Sequence, residues 1–164
     1  MTAPAGVSVR AIAPADVARV WDMVGELAEF EKLTDLRTGS AEGLAGALFS
    51  SPPDLFGLVA ERQGRLVGYA LFHFTFSSFR TSRRMWLEDL YVEPAARGTG
   101  AGEALLRGFA SAALQSGCHR VDWDVLEWNP AKGFYERMGA TPSAGGFLQY
   151  GMDADGMRKL LEGR

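Results

Sequence analysis

The chain has 164 residues, 47% hydrophobic and 23% charged, a composition typical of one globular domain rather than of a disordered or fibrous protein. Its 17 lysines and arginines against 20 acidic residues give a net charge of -3, which argues against a general nucleic-acid binder. The single cysteine, Cys118, excludes an intrachain disulfide and a cysteine-based metal cluster.

The first half of the chain predicts a strand, two helices and a hairpin. Residues 7–12 alternate between apolar and polar side chains, as a half-buried strand does. Pro14 opens an amphipathic helix, and Ser40 caps a second helix that runs to about Phe49. Two apolar strands, over 55–61 and 66–76, then form a hairpin, and the polar and basic residues 77–84 are expected to be a loop.

The second half predicts a strand over 85–92, a glycine-rich turn and a helix over 100–116 that ends at Gly117. The remaining predicted elements are strands over 119–126 and 147–152 and helices over 130–139 and 153–161. This order predicts a single α/β domain over residues 1–164, with a mixed, mostly antiparallel central sheet flanked by helices.

The glycine-rich turn is a candidate phosphate site. Gly98, Gly100 and Gly102 follow Arg97 and precede a helix, whose first N–H groups and partial positive charge attract phosphate oxygens. Glycines allow a ligand close to this backbone, and an arginine supplies further donors. Taken alone, three alternate glycines are equally compatible with a tight turn that binds nothing. A Walker loop is excluded because no Gly-Lys-Ser/Thr follows.

In this context the turn, written Arg-Gly-Thr-Gly-Ala-Gly over 97–102, resembles the Arg/Gln-x-x-Gly-x-Gly/Ala motif of the GNAT N-acetyltransferases. Residues 90–94 are similar to the bulged strand that precedes the coenzyme A loop in that family. Residues 128–130, 134–135 and 138–140 resemble its later motif. Within the family the chain resembles the spermidine/spermine and thialysine acetyltransferases most, at 26–31, 72–76, 86–89 and 127–129.

The resemblance implies a GNAT fold, acetyl-CoA as the acetyl donor and a primary amine as the acceptor. It also implies which residues hold the donor. Those residues are the backbone of Leu90, Tyr91 and Val92 for the pantetheine and thioester, Arg97, Gly98, Gly100 and Gly102 for the pyrophosphate, and Asn129 near the pantetheine arm.

Two successive carboxylates are the candidates for handling the substrate's proton. Keeping an alkylammonium neutral at pH 7 costs about 4–5 kcal/mol, which a positioned base offsets. Side chains of Glu88 and Asp89 would point to opposite faces of a regular strand, unless a bulge intervenes. The resemblance implies that Glu88 accepts the amine proton through a water and that Asp89 binds the cationic amine. The alternative for Glu88 is a solvated or ion-paired carboxylate near Arg83 or Arg84.

Tyr135 is the candidate general acid. It lies on a predicted helix, matches the catalytic tyrosine of the family, and a phenol can protonate a departing thiolate. The alternative is a tyrosine that only packs beside Phe134. Cys118, just past a helix end and without a paired base, is not expected to carry the acyl group, and direct transfer is preferred.

The resemblance and the charges of the 77–84 stretch indicate which residues would form the amine pocket. Glu31 matches an acidic residue that binds polyamine in the relatives, but Ser77 or Ser78 stands where those enzymes have another acid. The arginines between Arg80 and Arg84 should repel a long polycation and tolerate an amine that carries a carboxylate. A solvated basic loop without a ligand is equally compatible with this pattern.

The remaining expectations concern partners. The small-molecule amine is the expected partner, with no nucleic acid, no membrane and no metal, since His73 and His119 lack metal-ligand spacing. No apolar run reaches about 18 residues, and residues 1–6 do not resemble a signal peptide, so a cytoplasmic protein is expected. The resemblance implies a homodimer, and the aromatic residues Phe72, Phe74, Phe76 and Phe79 are compatible with an interface or with the core.

Two other functions use the same motifs. A non-catalytic acyl-CoA-binding regulatory domain needs Arg97 and the glycines but neither Glu88 nor Tyr135. A protein N-terminal acetyltransferase differs only in its acceptor and needs an open peptide groove.

Overall fold

The structure is a computed structural model that describes residues 6–143 and 150–162. It forms two compact units, Met1–Ala131 and Lys132–Arg164. The first unit holds the sheet, and the second contains most of helix α4 (Ala131–Arg137) and helix α5 (Ala154–Glu162). A single domain over the whole chain stays a prediction. No helix in the described part of the chain combines the length and the apolar character that crossing a membrane requires.

The first unit is built on a five-stranded sheet. The strands lie in chain order and are β1 (Val7–Ala11), β2 (Phe56–Arg62), β3 (Arg65–Ser77), β4 (Ser82–Val92) and β5 (Arg120–Asp122). Strands β1 to β4 pair in antiparallel fashion, and β5 runs parallel to β4. The predicted mixed, mostly antiparallel α/β sheet is therefore confirmed.

Three helices flank the sheet. They are α1 (Val17–Glu31), α2 (Ala41–Phe49) and α3 (Ala101–Gln115). Ser40 caps α2 as predicted, because its Oγ accepts a hydrogen bond from the Gly43 amide at 3.1 Å. A 3-10 turn over Pro14–Asp16 leads into α1, and another over Pro94–Ala96 leads from β4 toward the glycine turn.

Two predicted boundaries are wrong, and one predicted strand falls partly outside the described residues. The predicted loop over 77–84 is only a four-residue turn, because both strands of the hairpin continue into the basic stretch and pair there, Ser77 opposite Ser82. The predicted strand over 119–126 is shorter, since only Arg120–Asp122 pairs with β4. Of the strand predicted over 147–152, residues 147–149 lie outside the described residues, and 150–152 are not strand.

The sheet has two differently occupied faces. On one face Phe72 packs against Phe109 of α3, with ring centroids 5.3 Å apart. The other face packs against α1 and α2. The buried side chains in the core between them are Val17, Val20, Met23 and Leu48 of the helices and Val59, Tyr69, Leu71 and Tyr91 of the sheet. We call the two faces of the sheet the α3 face and the α1 face. Neighbouring residues of β3 alternate between them, so Phe72 lies on the α3 face and Leu71 on the α1 face.

The hairpin aromatics divide between core and surface. Phe72 is 5% exposed, and Phe74 packs edge-on against Phe56 with ring centroids 5.2 Å apart. Phe76 and Phe79 are 63% and 101% exposed. The first pair therefore belongs to the core of this chain, whereas the second pair remains accessible at the hairpin end.

Candidate active site

The candidate site is organised by a bulge in β4. Leu87 pairs with Phe72 and Asp89 with Leu71, so that two neighbours of β3 span three residues of β4 and Glu88 is the extra residue. Without the bulge, Leu87 and Asp89 would share a face. The extra residue instead leaves Leu87 on the α3 face and turns Asp89 to the α1 face, opposite Leu71.

Glu88 lies on the same face as Asp89. Its Oε2 atom is 3.4 Å from Nε2 of His73, the residue that pairs with Trp86 and points away from the α3 face. The Glu88 side chain is 55% exposed, so it is accessible to solvent or to a ligand. The bulge therefore places both carboxylates on one face, where a regular strand would have separated them.

The arginines suggested as partners of Glu88 are engaged elsewhere. Arg84 is ion-paired with Asp122 of β5, its Nε donating to Oδ2 at 3.0 Å. The guanidinium of Arg83 lies 5.1 Å from the centre of the Phe74 ring, on the α3 face. An ion pair between Glu88 and one of these arginines is therefore wrong, since the observed partner is His73, whereas the alternative of a solvated carboxylate agrees with the 55% exposure of Glu88.

Asp89 and Glu31 lie in a desolvated, acidic environment. Burial, together with the charges of Glu88 and Glu31, raises the pKa of Asp89 to about 6. Burial also raises the pKa of Glu31, which ends α1. We call Glu31, Glu88 and Asp89 the acid cluster. Apart from His73 near Glu88, the described residues provide no ion pair to it, and they contain no group able to hold a metal ion.

Tyr69 borders the acid cluster from β3. Its side chain is fully buried, and burial followed by the charge of Asp89 raises the pKa of its hydroxyl well above the usual value. The hydroxyl is near enough to favour the charged form of Asp89. It nevertheless makes no hydrogen bond of normal geometry with any described residue.

A second group of charges on the α1 face pairs both of its carboxylates with arginines, Glu93 with Arg65 at 3.7 Å as well, and we call it the Arg19 network. Arg19 contacts Glu26 at 2.6 Å and Glu93 at 3.0 Å. Glu26 also accepts a hydrogen bond from the Tyr91 hydroxyl at 3.0 Å. Burial raises the pKa of Glu26, but the hydrogen bonds from Arg19 and Tyr91 outweigh it and the net pKa is lowered. This network ties α1 to the end of β4.

Beyond the bulge, one edge of β4 is open. Strand β5 pairs only with Arg84, Met85 and Trp86, and within the described residues no strand pairs with that edge from Leu87 onward. Among the described residues, Leu90, Tyr91 and Val92 therefore have no strand partner on the β5 side of β4. Backbone groups on such an edge can accept an extended ligand as though it were a further strand.

The glycine turn has the geometry of a phosphate site. Gly98 and Gly100 have φ values of 77° and 89°, which favour glycine, and no side chain caps the N-terminus of α3. A Cβ at Gly98 would meet only open space, so a ligand can approach this backbone. Gly102 lies in the first turn of α3, where amide groups lack helical partners. The residues present fit a pyrophosphate here.

Arg97 stands beside this turn. Its Nε donates to the carbonyl oxygen of Val92 at 3.1 Å, and its guanidinium lies 5.3 Å from the Phe30 ring centre and 5.9 Å from that of Tyr91. Phe30 in turn contacts Trp128, with ring centroids 5.8 Å apart. Arg97 is therefore held at the end of β4 with its other nitrogen atoms available to a ligand.

Asn129 and Tyr135 follow β5. Asn129 is 7% exposed, and its side-chain oxygen accepts a hydrogen bond from the Ala131 amide at 2.9 Å, so it helps to start α4. Tyr135 lies on α4 in the second unit, where its ring contacts Phe134. Their predicted roles toward coenzyme A and the leaving thiolate stay predictions. Cys118 is buried, which raises the pKa of its thiol and disfavours it as a nucleophile.

The sequence reading missed three features of the site. The spacing of His73 argues only against a metal ligand and does not predict its contact with Glu88. Tyr69 sits in an apolar run and carries no signal that separates it from core aromatics. The Arg19 network joins residues up to 74 positions apart, so only the register of β3 and β4 and the position of α1 reveal it.

Comparison with known proteins agrees with this geometry. The model of the acetyltransferase (GNAT) family matches residues 21–140. A thialysine N-epsilon-acetyltransferase of Sus scrofa is 36% identical and covers 95% of this chain and 98% of its own. An L-ornithine N5-acetyltransferase of Arabidopsis thaliana is 28% identical, with 80% and 78% covered.

Among solved structures, an integron cassette protein from the mobile metagenome of V. cholerae has a TM-score of 0.76 and 26% identity, covering 96% of this chain and 98% of its own. The predicted family, and the likeness to thialysine acetyltransferases within it, are thus confirmed. Enzymes of this family use acetyl-CoA as co-substrate. The chain belongs to the GNAT family and is an N-acetyltransferase.

Proposed function

We propose that this enzyme transfers the acetyl group of acetyl-CoA directly to a primary amine of a small molecule. The observation that carries the proposal is the bulge at Glu88, which brings Glu88 and Asp89 to one face of β4, near Glu31 of α1 and beside the open edge of the same strand. A desolvated group of carboxylates attracts an ammonium, and an open strand edge suits the extended arm of the donor.

The donor's binding residues follow from the glycine turn and the open edge. In this proposal the amides of Gly98, Gly100 and Gly102 hold the pyrophosphate together with Arg97, as anions favour an uncapped helix N-terminus. The backbone of Leu90, Tyr91 and Val92 and the side chain of Asn129 hold the pantetheine arm. Acetyl-CoA supplies the activated acetyl group.

Two side chains move protons in this proposal. Glu88 accepts a proton from the ammonium through a water, which frees the nitrogen lone pair to attack the thioester carbon. Tyr135 donates a proton to the sulfur as the carbon–sulfur bond breaks. Asp89 and Glu31 bind the cationic amine. The exposed position of Glu88 supports its role, because the proton it receives can pass on to solvent.

For the acceptor, we propose a diamine or a lysine-like amino acid, with thialysine, lysine and ornithine ahead of long polyamines. The names of the relatives support amino-acid substrates. The engagement of Arg84 by Asp122 removes one candidate for binding a substrate carboxylate. Arg80, which has no ion pair among the described residues, remains the candidate.

The test is a panel assay with purified protein. Acetyl-CoA is supplied with thialysine, lysine, ornithine, putrescine or spermidine, thiol release is followed, and the product is identified by mass spectrometry. We expect turnover with at least one amine and monoacetylated product. Tight coenzyme binding without turnover on any amine would contradict the proposal and favour a regulatory acyl-CoA-binding domain. Turnover only on peptide N-termini would favour a protein N-terminal acetyltransferase.

We also propose that the enzyme works in the cytoplasm as a homodimer. The two exposed phenylalanines of the β3–β4 hairpin, Phe76 and Phe79, support association. Sedimentation of the wild type and of a Phe76→Ser, Phe79→Ser variant tests the dimer. A monomeric wild type would contradict it.

A further inference from the structure

The Tyr69 hydroxyl is a buried polar group that packing does not explain. The side chain is 0% exposed, and the hydroxyl has no hydrogen bond of normal geometry among the described residues. A buried hydroxyl that has lost its hydrogen bonds to water without gaining a partner destabilises the folded protein. A phenylalanine would fill the same apolar space without that cost. The hydroxyl therefore calls for a function beyond filling the core.

The register of the sheet places this hydroxyl next to Asp89. Tyr69 pairs with Tyr91, and Leu71 pairs with Asp89, so Tyr69 and Asp89 are diagonal neighbours on the α1 face. An aromatic side chain can span such a diagonal. The electrostatic effect of the hydroxyl on Asp89 has the sign of a donor, since it favours the carboxylate form.

The other charged groups around Asp89 act in the opposite direction. Glu88 on its own strand and Glu31 from α1 both disfavour a further negative charge. Glu26, which faces Tyr69 from α1, is already neutralised by Arg19. Among the described residues around Asp89, the Tyr69 hydroxyl is therefore the group that supports its charged form.

We propose that Tyr69 is a positioning residue for Asp89: its buried hydroxyl donates to the Asp89 carboxylate and keeps it charged and turned toward the substrate ammonium. This inference rests on the proposed function, because it assumes that Asp89 binds an amine. Tyr69 itself contacts neither reacting atom. Its high pKa keeps the hydroxyl protonated, and hence a donor, at every pH at which the enzyme is expected to work.

The proposal fixes the sign of a pH effect. An ammonium binds to the carboxylate form of Asp89, so kcat/KM for the amine falls as the pH drops through the pKa of about 6. Removing the hydroxyl removes a group that lowers this pKa. The acidic limb of the profile must then move to higher pH.

The test is Tyr69→Phe, which deletes one oxygen atom and keeps the ring. We expect the acidic limb of kcat/KM for the amine to move up by about 0.5–1 pH unit, the amount that one hydrogen bond supplies. Near pH 6 the KM for the amine should rise about three- to tenfold. The KM for acetyl-CoA and kcat at saturating amine above pH 8 should stay within about twofold of the wild type. A profile that superimposes on the wild type would overturn the proposal.

Thermal unfolding separates this role from a structural one. Because the hydroxyl stabilises Asp89 only in its charged form, Tyr69→Phe should melt lower than the wild type at pH 8, and the difference should vanish near pH 4, where Asp89 is protonated. Tyr91→Phe, which removes a hydroxyl bonded to Glu26 at 3.0 Å, is the matched control and should melt lower. A Tyr69→Phe protein that melts several degrees lower and keeps the wild-type profile would show a structural hydroxyl and overturn the proposal.

A measurement without turnover keeps the two proposals distinguishable. In carboxyl-labelled protein, the NMR titration midpoint of Asp89 should be higher in Tyr69→Phe than in the wild type. An unchanged midpoint would overturn the role of Tyr69 even if the enzyme acetylates amines. A shifted midpoint in a protein that acetylates none would support the Tyr69–Asp89 pair while the proposed function fails.

Discussion

Two groups of carboxylates lie on the α1 face of the sheet, and they differ in what neutralises them. Glu26 of α1 is bonded to Arg19 at 2.6 Å and to the Tyr91 hydroxyl at 3.0 Å. Glu31 ends the same helix and has no cationic partner among the described residues, although Asp89 lies near it. Helix α1 thus carries one carboxylate paired with an arginine, Glu26, and one without a cationic partner among the described residues, Glu31. We call these the compensated and the uncompensated acid.

The difference distinguishes a charge that folding favours from charges that folding disfavours. The net pKa of Glu26 is lowered, so its charge is favoured by folding, whereas the pKa values of Glu31 and Asp89 are raised, so their charges are disfavoured. A fold that keeps desolvated carboxylates without cations is less stable than it could be. A cationic substrate that enters the acid cluster would relieve this cost, which is how the site can select an ammonium.

The largest expected effect comes from the exposed member of the acid cluster. Glu88→Gln keeps the size of the side chain but cannot accept a proton, so kcat should fall about 10²- to 10⁴-fold. Coenzyme A affinity, measured by calorimetry, should be unchanged. Glu61→Gln, at the end of β2 where Glu61 pairs with Arg10 at 3.1 Å, is the matched control and should retain activity. A Glu88→Gln enzyme within threefold of the wild type would show that another group takes the proton.

The next effect concerns Asp89, the half-buried member of the acid cluster that belongs to β4. Asp89→Asn removes the charge that faces the ammonium, and a hydrogen bond to a charged group contributes about 1.5–3 kcal/mol. The KM for the amine should therefore rise about 10- to 100-fold at pH 8. The acidic limb near pH 6 should disappear from kcat/KM. A variant that keeps both the wild-type KM and the limb would remove Asp89 from the amine site.

Much of this fold could be predicted from sequence because it is encoded locally. Apolar patterns predict each of the five strands of the described sheet. Helix caps and the glycine turn predict where helices begin, and Ser40 caps α2 as expected. The errors lie where pairing decides the boundary. The basic residues Arg83 and Arg84 read as a loop, yet they pair with Phe76 and Thr75 and so become strand.

The site could be predicted only as a set of residues. Glu88 and Asp89 are recognisable as candidate acids, but whether they share a face depends on the bulge, which is a property of the pairing between β3 and β4. The partners His73 and Tyr69 come from β3, and Glu31 from α1. The local sequence around β4 does not predict how close these residues lie to Glu88 and Asp89, because strand register and helix packing set those distances.

A smaller expected effect is a gain in the stability of the ligand-free protein when the charge of Asp89 is removed. Because the pKa of Asp89 rises from 3.8 to about 6 on folding, the folded protein holds that proton more tightly, and stability is lost as the pH rises through this range. Asp89→Asn should therefore raise the free energy of unfolding at pH 8 by about 1–2 kcal/mol. The gain should vanish near pH 4. Denaturant unfolding at both pH values tests this, and a less stable variant at pH 8 would contradict an uncompensated charge.

The smallest expected effect is a loss of stability, opposite in sign to that of Asp89→Asn, when Glu26 of the Arg19 network is changed. The pKa of Glu26 is lowered from 4.5 on folding, so its charge stabilises the protein above that pH, and this contribution is lost as the pH falls below it. Glu26→Gln should lower the free energy of unfolding at pH 7 by about 0.5–1 kcal/mol, a modest amount because the Arg19–Glu26 pair is one-third exposed. The melting temperature should fall by about 1–3 °C at pH 7 and hardly at all at low pH. If Glu26→Gln and Asp89→Asn instead changed stability in the same direction at neutral pH, the two groups would not differ in compensation, and the acid cluster would lose its distinction as a cation site.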